Sequence, residues 1–166
     1  GGSYSASRLQ KIVWSWWDEF WGEWVPHVTK GEPYAIVVNG DAVDGVHHGS
    51  TTQISQNLGD QEEIAYQVLK PKMDMCDGRM YYTRGTEAHG GKSGVDEERL
   101  ARRLGCVPEQ DGHRARWLLW LRVGRGLVNI AHHIGTTGSM SYETSAVMKE
   151  LEQIYVDAGR WGREIP

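Results

Sequence analysis

Tyr34-Ala-Ile-Val-Val-Asn39, followed at once by Gly40-Asp41, is the stretch on which the fold turns. The run is too short for a helix, rich in β-branched residues and closed by a turn pair, so it reads as a buried strand. Met80-Tyr-Tyr-Thr83, closed by Arg84-Gly85, repeats the pattern and reads as a second strand. Between them, residues 45–59 carry Gly, Ser, Thr and Asn without periodicity and read as a loop. A helix follows from about Asp60, with Ile64, Val68 and Leu69 on one face, and Pro71 kinks or ends it.

Working outward, Leu9, Ile12, Val13, Trp16, Trp17, Phe20 and Trp24 recur at helical spacing from Ser7, and Pro26 closes the segment. Trp14 and Trp21 widen this stripe. It reads as a core-facing surface or, alternatively, as a face for a missing segment or a second subunit. Ser93 is placed to cap a helix through Glu97 to Leu104, stopped by Gly105. Trp117–Val123 and Leu127–Ala131 flank Gly124-Arg125-Gly126 and read as a hairpin. A last helix covers about Tyr142–Ala158, with Val147, Leu151, Ile154 and Tyr155 as its apolar stripe. Strands alternating with helices predict a layered α/β fold, and the hairpin makes its sheet mixed.

The 166 residues suit one domain, residues 1–166, with a real core. Lys and Arg number 18 against 22 Asp and Glu, a formal charge of −4. That balance argues against a protein that coats DNA without sequence preference, which needs a basic surface. It leaves room for an enzyme that draws phosphate to a bound metal. No uncharged apolar run reaches the length of a membrane span, so no membrane partner is expected. Cys76 and Cys106 form no C-x-x-C pair, and a reducing, cytoplasmic setting is the expectation.

Polar groups gather where three strands end. The first strand runs into Asn39-Gly40-Asp41-Ala42-Val43-Asp44-Gly45, with His47 and His48 just beyond. The second runs into Arg84-Gly85-Thr86-Glu87-Ala88-His89, and the hairpin into Ala131-His132-His133. Ligands collect at the carboxyl ends of strands in open α/β sheets, so these groups can meet in one crevice. Carboxylates with imidazoles suit Mn, Fe, Zn and similar divalent ions. Each piece alone has a plainer reading: a turn for Gly-Asp, and a solvated or satisfied pair for the histidines.

The ordered set Gly40-Asp41-x-x-Asp44, Gly85-Thr86-Glu87-Ala88-His89 and His132-His133 resembles the calcineurin-like metallophosphoesterases. The strings Asn39–Gly49 and Arg84–Gly90 are similar to the phage and prophage branch, which implies the cytoplasm of a bacterial host. The resemblance spans about residues 34–135. It implies two divalent metal ions (Mn, Fe, Zn or Mg), with Asp41 as the carboxylate bridging them and His132 as a metal ligand. His133 is the fallback if the register slips by one. Asp44 would fix the turn or orient the ligands. Thr86 stands where the family has Asn and would coordinate only weakly through its hydroxyl. Glu87 stands where the family has His; it becomes a ligand or shares the acid role, with His89 as the preferred proton donor. Arg84 would hold a phosphate oxygen or an internal ion pair, and His47 and His48 would stand behind the ligands or near the substrate.

The family also has a D-x-H strand before these motifs and a G-H-x-H segment after them; here no D-x-H precedes Gly40-Asp41 and no G-H-x-H follows His133. The expectation is therefore a fragment of a metal-dependent phosphoesterase, with weak activity as it stands. Its substrates would be phosphodiesters, nucleic acid among them, or phosphomonoesters. The alternatives are a non-catalytic remnant, or an assembly module that binds a partner or a second copy through the Trp-rich helix.

Overall fold

A computed structural model describes residues 5–46, 49, 53–135 and 144–161. Three helical pieces come first: α1 (Arg8–Glu19), a π-helical turn (Phe20–Trp24) and α2 (Val25–Thr29). Then follow β1 (Ile36–Asn39), α3 (Leu58–Met75), β2 (Met80–Thr83), the single turn α4 (Glu87–Gly90) and a 3-10 turn (Lys92–Gly94). The chain continues with α5 (Val95–Leu104), β3 (Ala115–Arg116), β4 (Leu119–Val123), β5 (Gly126–Ile130) and α6 (Ser145–Trp161). The fold is mixed α/β.

The order β1-β2-β3 makes a parallel sheet with β2 in the centre, Ile36 facing Met80 and Asn39 facing Thr83. Both crossovers are helical, as parallel neighbours require. The central strand is largely buried: Met80, Tyr82 and Thr83 are covered while Tyr81 is half-exposed. Helices α3 and α5 pack on each other. With the sheet they enclose Ala65, Met73, Cys76, Leu100, Ala101, Leu104, Cys106 and Ala115. Both cysteines are free thiols within this one cluster.

The expected single mixed sheet is corrected. β4 and β5 form a separate antiparallel pair, Leu119 opposite Ile130, and it is β3, two residues long, that extends the parallel sheet. The strand expected from Trp117 is thereby divided, Ala115-Arg116 pairing with β2 and Leu119–Val123 with β5.

Three further boundaries move for physical reasons. Pro26 does not close the first helix; the Val25 N–H reaches back to the Phe20 carbonyl, and this wider turn admits a proline in the next one. Pro71 lies inside α3. The carbonyl it leaves without its helical donor belongs to Gln67, an exposed position open to water. Ser93 does not cap α5: it takes a left-handed conformation, φ 63°, and Gly94 is the cap residue. Asp96, Glu97 and Glu98 in the first turn meet the positive helix end instead. Residues 142 and 143, where the last helix was expected to begin, lie outside the described residues.

The core-facing reading of the N-terminal stripe is overturned for α1. Ser7 caps it and exchanges side-chain-to-main-chain hydrogen bonds with Gln10. Yet α1 buries none of its residues, and Leu9, Val13, Trp14 and Trp16 are all at least half exposed. Burial begins only at Trp21 and Val25, with Lys72 of α3 lying over the Trp17 and Trp21 rings. The α6 stripe is likewise uncovered at Val147, Leu151 and Tyr155. No described helix is long and apolar enough to cross a membrane.

Candidate functional site

At the end of β1 two successive residues adopt left-handed backbone, Gly40 at φ 70° and Asp41 at φ 53°. Aspartate tolerates this region better than most side chains, but it remains a strained choice of the kind concentrated at functional sites. The Asp41 carboxylate is divided between two tasks. Its Oδ1 accepts from the Thr86 N–H at 2.9 Å and the Thr86 hydroxyl at 3.3 Å, tying it to the turn after β2. Its Oδ2 faces two imidazoles, with His132 Nε2 at 3.0 Å and His89 Nε2 at 4.0 Å.

Both rings are held from behind. His132 Nδ1 lies 2.5 Å from the Asn39 carbonyl, and His89 Nδ1 lies 2.7 Å from the Asp44 carbonyl. A carbonyl only accepts, so each Nδ1 carries the proton, and a neutral ring then turns the Nε2 lone pair toward Asp41. This orientation by a main-chain oxygen is the support that metal-binding histidines receive. The Asn39 side chain extends the frame, accepting from Thr83 Oγ1 at 2.6 Å and reaching the Ala131 carbonyl at 3.5 Å. The side chains of Asp41, His89 and His132 remain 26%, 26% and 22% exposed, so solvent and a small ligand can reach them.

Glycines make the approach close enough. A Cβ on Gly40 would stand 2.5 Å from Gly85 Cα and 2.6 Å from His132 Nδ1. One on Gly85 would stand 2.5 Å from Asp41 N and closer still to Oδ1. The Gly-Asp and Arg-Gly pairs at the strand ends therefore serve backbone contact as well as turning.

Sequence reasoning missed Glu97. It is wholly buried, and its carboxylate accepts from the Asp41 N–H at 2.7 Å and the Gly85 N–H at 2.6 Å, with the Tyr82 hydroxyl at 3.4 Å. Burial pushes its pKa up, and the Asp41 charge adds to this; the two N–H groups and His132 pull the other way. A signal was present: Glu97 shares the stripe of Leu100, Ala101 and Leu104, the buried face of α5.

The remaining candidates divide. Thr86 contacts Asp41 as a hydrogen-bond donor. Asp44 is exposed and meets His89 through its main-chain oxygen. Glu87 and His133 are exposed. Arg84 takes the internal role: Nε donates to the Ala115 carbonyl at 2.8 Å and Nη1 to the Ser93 carbonyl at 2.6 Å, with Glu98 at 4.0 Å and the Trp117 ring beside it. His47 and His48 lie outside the described residues. Two clefts, of about 670 and 470 Å³, flank β3, and neither is lined by Asp41, His89 or His132.

Among the described residues, no group of three or more His, Cys, Asp and Glu side chains is closed enough to hold a metal ion by itself. The wider His89 spacing leaves the set open on that side. No protein-family model matches the chain, and neither a curated protein nor a solved structure does.

Proposed function

We propose that this chain carries the metal-binding centre of a metal-dependent phosphoesterase of the calcineurin-like kind. One observation supports this reading above the others: two imidazoles, each anchored through Nδ1 to a main-chain carbonyl, turn Nε2 toward a single carboxylate oxygen. Two neutral rings would set lone pairs against an anion, an arrangement that needs positive charge. A proton can supply it, and so can a cation. The 3.0 Å between His132 Nε2 and Asp41 Oδ2 is what neighbouring donors of one ion take, each being about 2.1 Å from it.

The donor set would suit a divalent ion of the Mn, Fe, Zn or Mg class, held by Asp41 and His132, with His89, farther off at 4.0 Å, left to carry a proton. These two supply only part of one ion's shell; the rest of it, and the second ion of the expected pair, would draw on groups beyond them. A bound ion supplies charge for phosphoryl oxygens and an acidified water. The chain's own residues do the rest. Asp41 is fixed through Oδ1 so that Oδ2 keeps its aim, the carbonyls of Asn39 and Asp44 fix the rings, and His89 can pass a proton to a leaving oxygen. Phosphodiesters, nucleic acid included, are the proposed substrates, with phosphomonoesters behind them.

The test is calorimetric titration with Mn²⁺, paired with hydrolysis of bis(p-nitrophenyl) phosphate. Asp41→Asn is the variant of choice, since asparagine tolerates left-handed backbone and keeps the side chain's shape while removing its charge and one acceptor oxygen. Wild-type protein should bind Mn²⁺, and the variant should bind about 100-fold more weakly and lose hydrolysis. Absence of Mn²⁺ binding by wild-type protein overturns the proposal. Binding without hydrolysis leaves a metal-binding module that is not an enzyme.

A second copy of the chain is the partner inferred for α1. Its exposed stripe of Leu9, Val13, Trp16, Phe20 and Trp24 is flanked by segregated charge, Arg8 and Lys11 in the first half and Asp18, Glu19 and Glu23 further on. Arg8 and Glu19 lie about three turns apart on one flank. Two such helices laid antiparallel on a two-fold axis match opposite charges at both ends while covering the aromatic stripe.

A further inference from the structure

We propose that Glu97 is the positioning residue of Asp41. The proposal rests on the reading of Asp41 as a cation ligand and adds what holds that ligand in place. The Glu97 carboxylate touches neither imidazole ring as a hydrogen-bond partner. It joins two turns: one oxygen accepts from the Asp41 N–H that follows β1, the other from the Gly85 N–H that follows β2. Each turn leads directly into part of the site, the first into the Asp41 carboxylate and the second into Thr86, which grips Oδ1. The left-handed backbone at Asp41 aims its N–H inward at this buried anion while its side chain faces His132.

The chemistry of the acceptor decides why the residue is glutamate. Two main-chain N–H groups converge from different strands and each needs its own oxygen. A glutamine of the same shape offers one oxygen and one NH₂, so one turn would face a donor and lose its tie. An apolar residue would fill the space and satisfy neither. The carboxylate sits in the first turn of α5, where the positive helix end offsets part of its burial. The structure also clears room for it: a Cβ on Gly90 would stand 2.6 Å from Glu97 Oε2. Its neighbour Glu98 shows what an ordinary structural carboxylate does here, since it accepts from the Arg114 and Ala115 N–H groups and ties α5 to β3, away from Asp41.

The decisive comparison is Glu97→Gln against Glu98→Gln, read by Mn²⁺ calorimetry and by metal-free NMR of the Asp41 and Gly85 amides and the His132 ring nitrogens. Glu97→Gln should weaken Mn²⁺ binding tenfold or more, shift both amides and alter the His132 ring signals. Glu98→Gln should lower stability yet leave Mn²⁺ affinity and these signals as in wild-type protein. Wild-type affinity and signals in Glu97→Gln overturn the proposal, as does an equal loss in both variants. If Glu97→Gln does not fold, Gly90→Ala, which presses on the same carboxylate oxygen, replaces it under the same criteria. If wild-type protein binds no Mn²⁺, the metal reading fails alone. The positioning of Asp41 is then judged by the metal-free signals: a shift in Glu97→Gln supports it, and unchanged signals overturn it.

Discussion

Two adjacent glutamates are driven in opposite directions by their surroundings. Glu97 has its pKa raised by burial. Burial also pushes Glu98 up, but the Ala115 and Arg114 N–H groups, with Arg102 and His113, outweigh it and hold the group low. A depressed carboxylate adds stability that is present above its unfolded-state pKa and lost as pH falls through the folded value. A raised one adds stability that is present below its unfolded-state pKa and lost as pH rises through the folded value. Glu98→Gln should therefore flatten the acid side of the stability curve, measured by thermal unfolding between about pH 3 and 7. At Gly40 the constraint is steric and conformational together. Gly40→Ala should destabilise the protein by about 3 kcal/mol in urea unfolding, because a Cβ there meets Gly85 and His132 at φ 70°. At this scale, Asp41, His89 and His132 were readable because each follows a strand. Glu97 was missed, since among three consecutive acids at a helix start only its place on the stripe of Leu100, Ala101 and Leu104 sets it apart.

The strands and most helices were legible as elements because each stretch has one dominant period. Tyr34–Asn39 and Met80–Thr83 are short apolar runs, and β1 and β2 fall within them. Prolines misled at Pro26, where the wide π turn admits the ring. The division of the Trp117 strand was hidden because β3 is too short to carry a period. The pairing of α3 with α5 has a chemical corollary. Each helix ends by delivering a cysteine, Cys76 or Cys106, to the same core. Burial pushes the Cys106 thiol up to about 12, and Cys76 is raised for the same reason. Neither should react with Ellman's reagent at neutral pH in the folded protein. Both should label at the rate at which the core opens, a stopped-flow measurement with and without urea; immediate labelling of either thiol contradicts this packing.

At the scale of the whole molecule, α1 carries an apolar stripe, Leu9, Val13 and Trp16, that stays exposed. An amphipathic stripe reads the same whether or not its own core covers it, so periodicity alone does not tell that α1 stays exposed. The inferred antiparallel pairing makes a size measurement informative. Light scattering should show a dimer, and Trp16→Glu with Phe20→Glu should return it to a monomer. Arg8→Glu should weaken the dimer, and Arg8→Glu with Glu19→Arg should restore it, since the swap preserves matched ends. A monomeric wild-type protein removes α1 as a self-association surface.

His132 meets the Asn39 carbonyl across a sequence separation of 93, and Asp41 meets Glu97 across 56. Such contacts can form only after the intervening chain has surrendered its freedom, so they come late on the path from the disordered chain. During refolding, tryptophan fluorescence and helicity should therefore recover before the capacity to take up a cation. The cluster thus marks completed folding, and a nascent or nicked chain would carry Asp41, His89 and His132 without bringing them together.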